Sequence, residues 1–271
     1  MKINCEMPIE LMPFVKFFNH YEFVLFHLLK NKDYSDCIYA YREAYPGRLM
    51  IMDNSAYEMF VKGEEIDWDE YVEAINEYKP DYYILPDKLM DYEATIEGTK
   101  KFIEKYGDKI SKRSKPLAVA QGNSDEELVK AINEYRNMGI NYIGIPFHLK
   151  YYPEGEYPQE VVDYFRSKGY EETEDVRYAM GRVRFVLKHK DLLKEIEHIH
   201  FLGSHCPFEK HFYQEFSTMD TGYPVKLAMK GIRLREEKQK PEILVDDYIS
   251  EHPTKAQADL ILENMNIFRN I

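Results

Sequence analysis

Four short runs of apolar or small residues in this chain stop on a single polar residue, and that pattern narrows the folds open to it more than any other feature. Leu49 to Met52 runs into Asp53, Tyr82 to Pro86 into Asp87, Leu117 to Ala120 into Gln121, and Phe216 to Met219 into Asp220. Runs this short, bounded by turn residues, read as strands buried on both faces, as in a parallel sheet. Polar groups at the carboxyl ends of successive parallel strands are how an α/β barrel assembles a site. The expected fold is therefore a TIM-type (β/α)8 barrel. A chain of 271 residues suits one such domain spanning 1–271, since the barrel needs about 250.

The segments between the runs carry helical spacing. Asp67 is placed to cap a helix from Trp68 to Tyr78, with Trp68, Tyr71, Val72, Ile75 and Tyr78 on one side. A helix through Thr95 to Tyr106 follows the second run. Ser124 and Glu127 form a capping box ahead of Leu128, Ala131, Ile132, Tyr135 and Met138, and Gly139 stops that helix. Further strands are expected from Phe23 to Leu29, with His27 near the end, from Tyr142 to Ile145, and from His198 to Leu202. Helices are expected over Val161 to Lys168 and Gly181 to Glu197, with Phe208 to Phe216 as helix and return and Thr254 to Phe268 closing the chain. The stretch around 150–180, with Pro153, Gly155 and Pro158, reads as an insertion that can serve as a lid or binding loop. Seven strands are placed in this way. The eighth is sought in Lys226 to Ile232 or Ile243 to Val245.

Composition excludes several classes. Hydrophobic residues make up 44% and charged residues 31%, and no apolar run reaches membrane-span length, so no membrane association is expected. The N-terminus lacks a secretory pattern, and the expected location is the cytoplasm. Cys5, Cys37 and Cys206 are scattered, without a close pair, so no metal ligands and no cofactor are expected. Cys206 lies beside His205, a conceivable nucleophile pair, but an isolated adjacent pair is usually incidental. A net charge of −12 argues against a general polyanion binder. Two local basic strips stand out: Arg177, Arg182, Arg184, Lys188 and Lys190, and the stretch from Lys226 to Lys240. The second includes Lys226, Lys230 and Arg233 as candidate phosphate contacts; a solvated helix face is the alternative for either.

Taken in order, the polar strand ends resemble the tRNA-guanine transglycosylases and their DNA-acting paralogues that insert 7-deazaguanines. The resemblance covers six short segments between Leu49 and Gly222. Asp53-Asn54-Ser55-Ala56-Tyr57 is similar to the family's Asp-Ser-Gly-Gly-Tyr/Phe motif, which implies that Asp53 contacts the base and Tyr57 stacks on it. Pro86-Asp87 resembles the second acid that reads the guanine amino edge. Ala120-Gln121-Gly122 resembles the Val-Gln-Gly motif whose amide holds the base carbonyl, and Ile143-Gly144 the backbone donor. Phe201-Leu202-Gly203 resembles the Leu-Met-Gly segment, placing Leu202 and Gly203 at the base, with Leu202 opposite Tyr57. Met219-Asp220 resembles the step that carries the nucleophile.

The family's glycine pair is Ser55-Ala56 here, and its zinc-binding Cys-x-Cys-x-x-Cys is absent. The resemblance then implies a compact DNA-acting enzyme of the kind phages encode, working in the host cytoplasm. It would exchange guanine for a 7-deazaguanine such as preQ0 or preQ1, with Asp220 as nucleophile and Asp53 handling the proton. The alternatives are the same exchange on tRNA, and a non-catalytic paralogue that only binds nucleic acid. A protein partner or a homo-oligomer could supply grip on the nucleic acid to so acidic a chain.

Overall fold

The structure, a computed structural model, describes residues 1–14, 18–170, 173–213, 215–236 and 243–271. Eight strands form one sheet: β1 (Lys2–Cys5), β2 (Glu22–Leu25), β3 (Met50–Asp53), β4 (Tyr82–Ile84), β5 (Lys115–Val119), β6 (Tyr142–Pro146), β7 (His198–Leu202) and β8 (Thr218–Thr221). Their order is β1-β8-β7-β6-β5-β4-β3-β2, with parallel pairing. Helices separate most of the successive strands, which gives the α/β, TIM-type (β/α)8 barrel.

The expected eighth strand lies elsewhere. It is the N-terminal β1, whose Ile3, Asn4 and Cys5 are buried. The two segments considered for it take other forms. Tyr223–Met229 is a helix with Pro224 in its first turn, a position where the missing amide hydrogen costs nothing, and Val245 opens a 3-10 turn. Side chains tie β1 to the residues leading into β2. Asn4 Nδ2 donates to the Tyr21 carbonyl at 2.8 Å, and Asn19 both accepts from the Cys5 amide at 2.7 Å and donates to its carbonyl at 3.0 Å. Buried amides here take over bonds that a regular ladder would make.

Most helices follow their caps. Asp67 accepts from the Asp69 and Glu70 amides, and Tyr71, Val72, Ala74, Ile75 and Tyr78 are buried along Trp68–Tyr78. Ser124 caps Asp125–Asn137 through the Glu127 amide at 3.2 Å, while the Glu127 carboxylate reaches the Asn123 amide rather than that of Ser124. The helix expected from Gly181 starts instead at Glu174, capped by Thr173, and breaks into Glu174–Lys188 and Lys190–Lys194. Gly181 is not a helix start. A Cβ there would fall 2.6 Å from the Tyr152 carbonyl oxygen, so the glycine lets the insertion lie against the helix.

Two further boundaries move, and one helix is new. The strand expected over Phe23 to Leu29 ends at Leu25 and gives way to a 3-10 turn, Phe26–Lys30. The last strand begins at Thr218, after a 3-10 turn over Glu209–Tyr213. Helix Lys32–Ala44, capped by Asn31, was not anticipated, because only Tyr34 and Ile38 are buried along it and its apolar periodicity is weak.

The chain packs as two compact units. A terminal unit comprises Lys2–Tyr83, Ile110–Ser114 and Asp220–Ile271; a central unit comprises Ile84–Lys109 and Lys115–Met219 together with Met1. Among the described residues, no helix is long and apolar enough to cross a membrane.

Candidate active site

In the central unit, two of the expected base-reading residues meet directly. Asp87 follows β4 and Gln121 follows β5. Gln121 Nε2 donates to Asp87 Oδ2 at 2.8 Å, and its Oε1 accepts from the Met90 amide at 2.9 Å. The amide is thereby fixed in one orientation, with oxygen and nitrogen assigned by their partners. Gly144, in the middle of β6, lies under Leu202: a Cβ would fall 2.7 Å from Leu202 Cδ1 and 3.2 Å from Leu117 Cδ2. A side chain at this position would force Leu202 to turn and would crowd Leu117. Gly203 turns the chain out of β7 with φ +62°, a conformation that glycine adopts without strain.

The carboxyl ends of β6 and β7 are held from behind by Arg182, which is fully buried. Its Nε and Nη2 grip both oxygens of Glu209 at 3.0 and 2.7 Å. Its Nη1 donates to the Leu202 carbonyl at 2.9 Å and the Ile145 carbonyl at 3.3 Å, and Nη2 donates to the Gly203 carbonyl at 2.8 Å. Ser204 and Tyr213 also donate to Glu209. Three of the five cations in the first basic strip are therefore already engaged within the protein. Arg182 is a core residue, while Lys188 and Arg184 both reach Asp125, at 2.7 and 3.5 Å.

In the terminal unit the chemistry is acidic. Asp220, in β8, is buried and hydrogen-bonds Glu6, which follows β1 and is half-buried. Burial first, and then the neighbouring charge of Asp220, pushes the Glu6 carboxyl up to about 8, against the opposing pull of Lys226. Glu6 therefore holds a proton at neutral pH. These groups converge over Gly222, where a Cβ would lie 2.8 Å from Glu6 Oε2, 3.0 Å from Lys226 Cε and 3.0 Å from the Tyr248 hydroxyl. Glu58 is also raised, mainly by burial, with Asp220 and Asp246 adding to it and Lys226 opposing. Asp246 binds Lys62 at 2.6 Å and His27 Nε2 at 3.3 Å. Burial lowers His27, so its imidazole is neutral at pH 7.

Asp53 ends β3, buried, and its Oδ2 accepts from the Ser55 amide at 3.0 Å. Ser55 sits at φ +63°, in the left-handed region where the transglycosylase motif has glycine. Its hydroxyl accepts from the His27 amide at 3.2 Å, a bond that holds the strained turn in place. Tyr57, on the short helix Ala56–Lys62, is half exposed, with Phe60 and Val61 more or similarly open beside it in the sequence.

The expected phosphate contacts divide. Lys226 faces the acid cluster, Lys230 is exposed, and Arg233 is taken up by Glu263 at 2.8 Å and Glu236 at 3.2 Å. The strip's last residues, 237–240, lie outside the described residues. Cys206 is buried and its thiol is pushed well up by that burial, so it does not serve as a thiolate nucleophile. Glu6 escaped sequence reading because it follows a four-residue strand close to the N-terminus, where no long apolar run announces it. No family model matches the chain, and no curated protein matches it.

Proposed function

We propose that the chain is a base-exchange transglycosylase that replaces guanine in DNA with a 7-deazaguanine through a covalent aspartyl-sugar intermediate. The observation that carries this reading is the Glu6–Asp220 pair: two hydrogen-bonded carboxyl groups, one of which keeps its proton at neutral pH. Glycosyl transfer asks for that combination, an ionised carboxylate to trap the sugar and an acid in reserve.

Asp220 attacks C1′ as the N-glycosidic bond breaks, and the bonding electron pair leaves with the base, which takes a proton at the nitrogen released. The incoming 7-deazaguanine gives up the corresponding proton and displaces Asp220 by the reverse step. Asp53 was the proton-handling candidate from sequence; Glu6 is a second, and it lies against the nucleophile itself. The Gln121–Asp87 pair supports guanine recognition, since a locked amide and acid pair reject bases with the wrong donor pattern. The roles of Tyr57, Gly144, Leu202 and Gly203 follow the resemblance.

The test is nucleoside mass analysis of DNA and tRNA from cells expressing the protein, with and without a 7-deazaguanine supply. Deazaguanine in DNA, lost in Asp220→Ala, is the expected result. Deazaguanine in tRNA alone would move the substrate to tRNA. Neither, or wild-type exchange by Asp220→Ala, would overturn the reading.

A further inference from the structure

The scattered cysteines offer no close ligand set, but two histidines and an aspartate from three separate elements come together. His148 lies two residues beyond β6, His205 three beyond β7, and Asp175 in the first turn of helix Glu174–Lys188. All three belong to the central unit. One ligand atom from each lies within 4.8 Å of the other two, and His205 Nδ1 is already 3.1 Å from Asp175 Oδ1. Ligands at zinc bond lengths around a tetrahedral ion sit about 3.3 Å apart. Two of the three therefore need no rearrangement. His148 is exposed, and its ligand atom lies within the same 4.8 Å of the other two.

The surroundings are built to hold these rings. Phe147 packs edge-on against both imidazoles, at 5.4 Å from His148 and 4.9 Å from His205, and Tyr178 lies 4.4 Å from His148. Arg182 stands 4.9 Å from the Phe147 ring and bonds the Leu202 and Gly203 carbonyls, so the loop carrying His205 starts from a fixed anchor.

We propose that His148, Asp175 and His205 bind one divalent transition cation of the zinc class, with a coordination position left open. Two imidazoles and one carboxylate are the donor set for such borderline ions, whereas calcium and magnesium call for oxygen ligands throughout. Three protein ligands leave room for a water or a ligand atom, the arrangement of reactive rather than purely structural zinc. The ion would join the loops after β6 and β7 to the helix that follows the insertion. This site does not depend on the base-exchange reading.

The full-length protein is stripped with a chelator, freed of it, and titrated with zinc chloride against a chromophoric competing chelator. One equivalent bound by wild type is expected, with affinity at least tenfold weaker in His148→Ala, in His205→Ala and in Asp175→Asn. Binding should also weaken at pH 5.5, where protons compete for the imidazoles. Because His148 is exposed, His148→Ala should fold; zinc should raise the melting temperature of wild type and leave that of His148→Ala unmoved. Absence of stoichiometric uptake by wild type, or uptake unchanged in His148→Ala, would overturn the site and leave His205 and Asp175 as an ordinary ion pair. Either outcome is read without any measurement of base exchange.

Discussion

Arg182–Glu209 in the central unit and Glu6–Asp220 in the terminal unit are both hydrogen-bonded pairs of ionisable groups withdrawn from water, yet they are opposite in kind. The first joins opposite charges, and the five hydrogen bonds that the guanidinium donates leave it no spare capacity. The second joins like charges and is tolerable because one partner stays protonated. A compensated pair braces the strand ends around Gly203. An uncompensated pair keeps a proton that can be moved, which is a property chemistry can use.

The sharpest way to break the comparison is to remove one partner of the compensated pair. Arg182→Met leaves the Glu209 carboxylate buried without its cation and should cost about 3–5 kcal/mol, read as a lowered denaturant midpoint. The double variant Arg182→Met/Glu209→Gln should recover part of that and not all, because the Ile145, Leu202 and Gly203 carbonyls still lose their donor. Full recovery would mean that the arginine serves Glu209 alone.

Gly144→Ala tests the packing that Arg182 supports. The added methyl meets the end of Leu202, which can turn, but also Leu117 and Val119 at 3.2 and 3.3 Å, so a cost of about 1–3 kcal/mol is expected in the same unfolding measurement. A neutral effect would show that Leu202 is loosely held.

How much of this was legible beforehand depended on whether a residue announces itself locally. Asp53, Asp87 and Gln121 close apolar runs, so their strand-end positions could be read directly, and Ser124 and Asp67 declare their helices by capping. Glu6 could not be read that way. Its importance comes from Asp220, more than two hundred residues later, and β1 is too short for its pattern to be distinguished from a leader segment. Arg182 misled for the converse reason: in sequence it belongs to a run of cations, and only burial separates it from its neighbours. His148, Asp175 and His205 sit on three different elements and carry no joint spacing.

On the uncompensated side, Asp220→Asn should leave the unfolding midpoint close to wild type, since the amide oxygen can still accept the hydrogen bond from the protonated Glu6. Exchange should nevertheless be lost. A large loss of stability would recast Asp220 as part of the scaffold.

The smallest expected effect separates Glu6 from its closest counterpart, Glu22. Both carboxyls are pushed up to about 8 from an ordinary 4.5, but burial alone does this for Glu22, with Arg48 opposing, whereas Asp220 contributes at Glu6. Both residues line a cavity of about 20 Å³, room for roughly one water, and Glu22 Oε2 has no hydrogen-bond partner among the described residues. A carboxyl raised in the folded state holds a proton that the unfolded chain releases. Its contribution to stability is thus complete below pH 4.5 and lost as pH rises through about 8. Glutamine keeps the shape without the titration, so Glu22→Gln and Glu6→Gln should each match wild type near pH 4.5. Each should melt a few degrees higher at pH 8.5. Base exchange should divide them: wild type and Glu22→Gln should lose activity together as pH rises past about 8, while in Glu6→Gln that alkaline limb should be absent. If Glu22→Gln also abolished the limb, the proton that matters would belong to the shared cavity and not to the pair with Asp220.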